Sequence, residues 1–234
     1  YVEYFYLELE QFIRQKKKAE RKLEIQDQQL FKQLRELGEN DSYIANLIRN
    51  DNLEMFQSCI DQSEYSLNDK IPLSFFESNP FLLSHKATLI EYAAFFGSIN
   101  IFNFLLENNA LKSPEAWLYA IHGNNMDIIK SLEQCFVIPN EFLKSCLLES
   151  IRCHHNDITE YFLDNHPEIH LDDDVLRVCF ESHNYSAIRA HFDLGPSKYN
   201  ELFVIACKYD YYLILEELIK ANSLDMNNRI ILFL

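Results

Sequence analysis

The chain has 234 residues, 48% of them hydrophobic, and a formal net charge of −15. That length permits one full core or a stack of short units, but four Gly and six Pro are too few for a sandwich or barrel with turn residues at every connection. The acidic balance disfavours generic binding to nucleic acid or anionic lipid. No run of about 18 apolar residues occurs, so no membrane span is expected. The first residues lack the basic-then-apolar order of a signal peptide. The six cysteines (59, 135, 146, 153, 179 and 207) show no short paired spacing and read as reduced thiols. A cytoplasmic protein is therefore expected, with the sequons at Asn40 and Asn184 carrying no glycan. Because the first residue is Tyr1 rather than Met, a fragment or a processed form of a longer chain is also expected.

Residues 1–40 are predicted to form an N-terminal helical segment. Val2, Phe5, Leu9 and Phe12 make one apolar stripe; Leu23, Leu30, Leu34 and Leu37 make a second. Between them, Arg14 to Lys22 carries six basic residues, against an acidic remainder. The segment reads either as a coiled-coil arm or dock for an acidic partner, or as a capping helix with a solvated basic middle. Asp27 interrupts the heptad between Leu23 and Leu34, which favours the cap.

From residue 41 onward one helix-pair pattern is written six times. Its anchors are Leu47, Ala93, Ala120, Ser150, Cys179 and Ala206, five of the six being small. Three residues before each anchor stand Ile44, Ile90, Trp117, Leu147, Leu176 and Phe203. Eight residues after come Met55, Ile101, Ile128, Ile158, Ala187 and Ile214. Twelve after come Cys59, Leu105, Leu132, Phe162, His191 and Leu218, where only His191 is polar. A unit this short cannot bury its own apolar face, so the copies are expected to stack as a solenoid. Polar breaks such as Gly97-Ser98, Gly123-Asn124-Asn125, His154-His155-Asn156, His183-Asn184 and Tyr209-Asp210 separate the two helices of each unit. Ser113-Pro114-Glu115 and Gly195-Pro196-Ser197 mark starts of first helices.

The anchors are 46, 27, 30, 29 and 27 residues apart. The long first gap holds residues 62–86, with Ile71-Pro72-Leu73-Ser74-Phe75-Phe76-Glu77 and Asn79-Pro80-Phe81-Leu82-Leu83. That stretch is too apolar for a disordered linker and is expected to be an ordered insertion packed on the first units. At the far end, Ile230-Ile231-Leu232-Phe233-Leu234 suits the beginning of a further unit.

Thr88-Leu89-Ile90-Glu91-Tyr92-Ala93-Ala94 matches the ankyrin Thr-Pro-Leu-His-x-Ala-Ala stretch at Thr88, Ile90, Ala93 and Ala94, and departs from it at Leu89 and Glu91. With the insertion before it and Ile101 to Leu106 after it, the chain resembles a divergent ankyrin-repeat domain family of unknown function, abundant in parasitic protists. The resemblance covers roughly residues 41–225. Spacings of 27–30 fall short of the ankyrin period of about 33, so short or absent β-turn fingers are expected. The resemblance implies an all-α, ankyrin-like solenoid over residues 41–234, protein–protein recognition through a concave face, and no catalysis.

In such stacks the residue before each small anchor faces the concave side. Those residues are Asn46, Tyr92, Tyr119, Glu149, Val178 and Ile205, and Tyr92, Tyr119, Glu149, Val178 and Ile205 are the candidate partner contacts. Tyr92 and Tyr119 stand in neighbouring units, and exposed aromatics supply much interface energy; the competing reading packs them between units with only their hydroxyls wet. Cys146, Cys153, His154 and His155 form the one cluster suggestive of a metal, but paired ligand spacing is lacking, and core thiols beside a polar break explain them better. Asp172-Asp173-Asp174 lacks the alternation and Gly of a calcium loop and reads as helix-start charge. No phosphate-binding glycine loop, nucleophile elbow or paired-histidine zinc motif is present. The sequence thus predicts a non-catalytic scaffold with a protein partner, no cofactor, no metal, no nucleic acid and no small-molecule substrate, and a monomer rather than a homodimer. The alternative is an assembly protein that self-associates through its N-terminal helix.

Overall fold

The computed structural model describes residues 28–62, 64–111, 113–135, 139–191 and 199–222. Among these the chain is all-α, with fourteen helices and no strand; one isolated antiparallel bridge joins Lys70 and Thr88. The stripe from Val2 to Phe12, Leu23 of the second stripe, the basic run of Arg14 to Lys22, the Gly195-Pro196-Ser197 corner and the apolar stretch Ile230 to Leu234 lie outside the described residues. Contacts divide the chain into two compact units, Tyr1–Ile129 and Lys130–Leu234.

The first unit holds α1 (Gln28–Leu37), then a hairpin of α2 (Tyr43–Arg49) and α3 (Leu53–Asp61). The short α4 (Pro80–Ser84) follows, then hairpins α5 (Leu89–Phe96) with α6 (Ile99–Glu107), and α7 (Ala116–His122) with α8 (Met126–Cys135), the helix in which the division between the units falls. The second unit contains α9 (Asn140–Arg152) with α10 (Asn156–Asn165), α11 (Asp173–Glu181) with α12 (Tyr185–His191), and α13 (Tyr199–Lys208) with α14 (Tyr212–Asn222). In the first unit α2 packs on α5, α5 on α7, and α3 on α6; in the second, α9 packs on α11 and α11 on α13.

All six hairpins turn the same way at the backbone. The residue four after each anchor has positive φ: Asp51 (47°), Gly97 (70°), Asn124 (55°), His154 (59°), His183 (55°) and Asp210 (54°). Glycine and short polar side chains tolerate this left-handed conformation, which explains why every break reads as polar. The next amide then donates to the anchor carbonyl in all six hairpins (Asn52 to Leu47, Ser98 to Ala93, Asn125 to Ala120, His155 to Ser150, Asn184 to Cys179, Tyr211 to Ala206), at 2.8–3.0 Å. This closes each first helix with its last carbonyls satisfied. The second helix starts on the following residue or the one after.

The residue that follows the left-handed position also reaches the neighbouring hairpin. Ser98 Oγ donates to Ile48 O at 2.5 Å, Asn125 Nδ2 to Ala94 O at 3.1 Å and Phe95 O at 2.7 Å, and Asn184 Nδ2 to Ile151 O at 3.0 Å. Each donates to a carbonyl at the end of the preceding first helix, where the helix itself offers few donors. Tyr211 makes a related bond with its hydroxyl, to His183 O at 2.8 Å. Gly123 sits where an added Cβ would lie 1.8 Å from Phe95 O, so the approach of these two corners requires glycine.

All six anchors are buried, as are Ile44, Ile90, Trp117, Leu147 and Leu176 before them and Ile101, Ile128, Ile158, Ala187 and Ile214 after them. Met55 departs from its column and is exposed. In that hairpin the adjacent Phe56 takes the interior place, its ring edge-on to Phe104 at 6.1 Å. The polar anchor Ser150 is accommodated because its hydroxyl bonds Leu147 O and Thr159 Oγ1, each at 2.8 Å. Glu91 completes a capping box with Thr88 and accepts from Ser113 Oγ at 3.0 Å, tying the start of α5 to the segment leading into α7.

Asn184 is buried and also caps α12 by accepting from Ala187 N. Replacing it with Ala strands several buried groups and is expected to cost about 2 kcal/mol or more in urea unfolding. Gly123→Ala is expected to lower the midpoint as well.

Candidate interaction site

The insertion is built from residues that seal its base and hook it to the segment after α1. Ile71 N donates to Ala87 O at 2.8 Å and Leu89 N to Asp69 O at 3.0 Å, closing the loop beside the Lys70–Thr88 bridge. Asn40 is buried and donates through Nδ2 to Pro72 O at 2.7 Å. Ser78 donates through both N and Oγ to Gly38 O, at 2.9 and 2.8 Å. The Phe31 ring of α1 meets Phe76 edge-on at 5.4 Å. Within the loop, Asn79 caps α4 by accepting from Phe81 N and Leu82 N, and Pro80 occupies the first turn where its missing amide costs nothing.

That cap aims Phe81 at the first helices of the next two hairpins. Its ring lies 3.6 Å from His122 and 4.9 Å from Tyr119 in α7, and 6.3 Å from Phe95 in α5. The insertion therefore covers the side of α5 and α7 that the sequence assigned to a partner. Tyr92 is 1% exposed and Tyr119 is 4% exposed. Both candidate contacts are corrected by this finding, because the chain's own residues 71–87 fill the space a partner would need. Burial pushes the Tyr92 hydroxyl up to about 12, against the opposing pull of Arg49, whose Nη1 donates to it at 2.9 Å. Arg49 is held in turn by Glu39 at 3.0 Å and lies over the Phe96 ring. Burial also raises Tyr119, with Glu91 and Glu115 adding to the effect.

In the second unit Val178 is buried on α11 and is likewise unavailable as a direct contact. Glu149 and Ile205 are half-buried, on α9 and α13, and Glu149 pairs with Arg152 at 2.9 Å. In the first unit Asn46 is exposed on α2. Asp172 caps α11 by accepting from Val175 N, and Lys144 Nζ pairs with it at 2.5 Å and with Asp174 at 3.6 Å. The acidic triplet thus serves a helix start and a cross-helix ion pair.

The cysteine and histidine cluster is spread over different surroundings. Cys146 is fully buried, and desolvation pushes its thiol up to about 12; Cys153 is half-buried and pushed up to about 11. Burial likewise raises Cys179, to about 12. These shifts disfavour the thiolate that nucleophilic attack requires. His154 holds the left-handed corner, its Nε2 2.8 Å from Ser182 O. His155 precedes α10 as its cap residue.

Two features of the insertion had no sequence signal. One is a small cavity of about 40 Å³ lined by Asn40, Pro72, Ser74, Glu77, Lys86 and Tyr92, among others. The other is its rim, where Leu73 is 82% exposed, Phe75 68% and Leu83 56%. Alternation or helical spacing would have marked an amphipathic element, but Leu73 and Phe75 sit on irregular backbone and Leu83 on a helix of only five residues. No family model matches the chain, and no curated protein or solved structure matches it.

Two measurements follow from the burial of the tyrosines and thiols. The folded Tyr92 hydroxyl holds its proton to about 12, against about 10 when unfolded. Its contribution to stability is therefore complete below pH 10 and is lost as the pH rises towards 12. Unfolding monitored against alkaline pH is expected to show this loss, steeper in wild type than in Tyr92→Phe. Alkylation at pH 8 followed by mass spectrometry is expected to modify exposed Cys135 first, with Cys146 and Cys179 labelled only in denaturant.

Proposed function

We propose that the chain is a non-catalytic protein-interaction scaffold made of ankyrin-like helix hairpins with short or absent fingers. The observation that carries this reading is the corner geometry, the same in six hairpins and tied to the neighbour by side chains such as Asn125 and Asn184. Within each unit, hairpins packed first helix on first helix offer a continuous surface that suits recognition rather than an enclosed reaction site. Thiols raised by burial favour the same conclusion over a Cys/His enzyme, whose nucleophile needs a depressed pKa. The partner side is the first-helix side of the hairpins. In the first unit it is faced by the outer surface of the insertion, with Leu73, Phe75 and Leu83; in the second, Glu149 and Ile205 stand on it. A cytoplasmic monomer with free cysteines fits this role. The assembly alternative rests on residues 1–37, of which 1–27 lie outside the described residues while Leu30 and Leu37 of α1 are exposed.

Affinity capture from a lysate, comparing wild type with Leu73→Ser/Phe75→Ser/Leu83→Ser, tests the proposal. These side chains are exposed, so the triple variant is expected to keep its helical circular dichroism and lose a partner that wild type retains. Capture of nothing by wild type, together with turnover or a single hyper-reactive thiol, overturns the scaffold reading.

A further inference from the structure

The hairpin pattern is open at its first and last copies. Four residues before the anchor, Leu89, Ala116, Cys146, Val175 and Leu202 are buried, whereas Tyr43 of the first hairpin is 53% exposed. Eight after the anchor, five hairpins again bury an apolar side chain, whereas Met55 of the first is 42% exposed. These two columns are open only in the hairpin that has no copy before it among the described residues, so they mark the leading face that a hairpin turns to its predecessor. The amide of Ile101, eight after its anchor, accordingly donates back to Asp51 Oδ1 of the hairpin before, at 2.9 Å. The trailing face behaves the same way in the last hairpin. One residue after the anchor, Ile48, Ala94, Ile121, Ile151 and Phe180 are buried, whereas Cys207 is exposed, with Val204 exposed one turn before it. Nine after the anchor, the five earlier residues are buried and Leu215 is only half-buried. Where a copy follows, it covers this face: the Phe180 ring lies 5.8 Å from Tyr211 and 6.4 Å from Tyr209. Stacked hairpins normally end in units with a polar outer face, and here neither end has one.

Going beyond the scaffold reading, we propose that the leading face of α2 and α3 docks on the trailing face of α13 and α14 in a second copy of this chain. The faces themselves select that occupant. Within the units, each hairpin that follows another packs its first helix on that of its predecessor, as α5 does on α2 and α13 on α11, and the chain keeps one leading and one trailing face unused. A second copy supplies both through packing the chain already makes. Their polar groups match as well. Asn184 accepts from Ala187 N through Oδ1 and donates through Nδ2 to Ile151 O, one residue after the preceding anchor. Asn52 holds the same position in the first hairpin and makes the same cap, accepting from Met55 N at 3.2 Å. Its Nδ2 is the corresponding donor, and Cys207 O is the corresponding acceptor on the last hairpin. The contact is heterologous, so each added copy brings a further face. Every copy carries a net charge of −15, which opposes association and keeps the dilute chain monomeric.

Sedimentation velocity on the whole chain, with each face charged in turn, tests this interface. The wild-type average mass is expected to rise roughly twofold between ~10 and ~500 µM, as a micromolar-to-millimolar interface requires. Salt, which screens the shared charge, is expected to increase the rise. Met55→Glu and Cys207→Glu alter exposed side chains, so each is expected to keep its helical circular dichroism and to stay monomeric alone. Mixed in equal amounts, they are expected to form a dimer and nothing larger, one variant supplying the intact trailing face and the other the intact leading face. Asn52→Asp keeps the cap acceptor but removes the donor, and is expected to weaken association roughly fivefold, the worth of one hydrogen bond. Alkylation of wild-type Cys207 is expected to slow as concentration rises, while that of exposed Cys135 does not. A wild type that stays monomeric at high salt, as it does if its own residues 1–27 or 223–234 cover these faces, overturns the proposal. So does an equal mixture that forms no dimer, or association lost in Leu73→Ser/Phe75→Ser/Leu83→Ser but kept in Met55→Glu. Partner capture through the insertion is read separately, so the scaffold reading can stand where this interface fails.

Discussion

The architecture depends on one backbone event repeated at the end of each first helix. A residue enters the left-handed region, the following amide returns to the anchor carbonyl, and the chain reverses into a second helix. Helix ends leave carbonyls without partners, and a corner buried against a neighbour cannot leave them to water. The side chains after the left-handed residue add a bond across the gap between hairpins, as Ser98 does to Ile48 O and Asn184 to Ile151 O, each of which also accepts an amide of its own corner. One short polar stretch therefore ends a helix, sets the hairpin and fixes the distance to the next copy. The small anchors belong to the same constraint, since first helices can approach this closely only where side chains are short.

The insertion solves a different problem. Expanding the first spacing to 46 residues introduces apolar residues that have no place in the hairpin pattern. They find one by folding back onto α5 and α7, where Phe81 packs among Phe95, Tyr119 and His122. Tyr92 and Tyr119 are thereby converted from surface to interior. The cost is visible on the other side of the loop, where Leu73, Phe75 and Leu83 face outward and Glu77 keeps one oxygen unmatched. A loop that covers one surface creates another, and the chemistry of the new surface is that of residues 71–86 rather than of the helices beneath.

The electrostatics agree with a structural use for most polar groups. Asp172 caps a helix and pairs with Lys144, and Glu91 serves a capping box and a neighbouring serine. In the first unit Asp51 accepts from the amides of Asn100 and Ile101, holding the start of one hairpin's second helix from the corner of the previous one. Against that background, Glu77 Oε2, buried and without a hydrogen-bond partner, is an exception.

Much of the fold was legible in the residue pattern because its causes are local. Helical spacing, helix caps and tolerance of left-handed backbone are properties of a few neighbouring residues, so the hairpins and their breaks could be located from Ala93-Ala94, Gly97-Ser98 or His183-Asn184 alone. The departures were local too: Met55 yielded to Phe56 through the size of one ring. The candidate site was legible only as an ordered insertion. Which side of α5 and α7 it would cover, and that it would bury Tyr92 and Tyr119, followed from bonds between residues more than 30 positions apart, such as Asn40 to Pro72 and Ser78 to Gly38. Contacts at that separation leave no period or motif in the chain. They are decided by which long-range arrangement satisfies the most buried groups, and here that arrangement left Glu77 unmatched beneath an apolar rim.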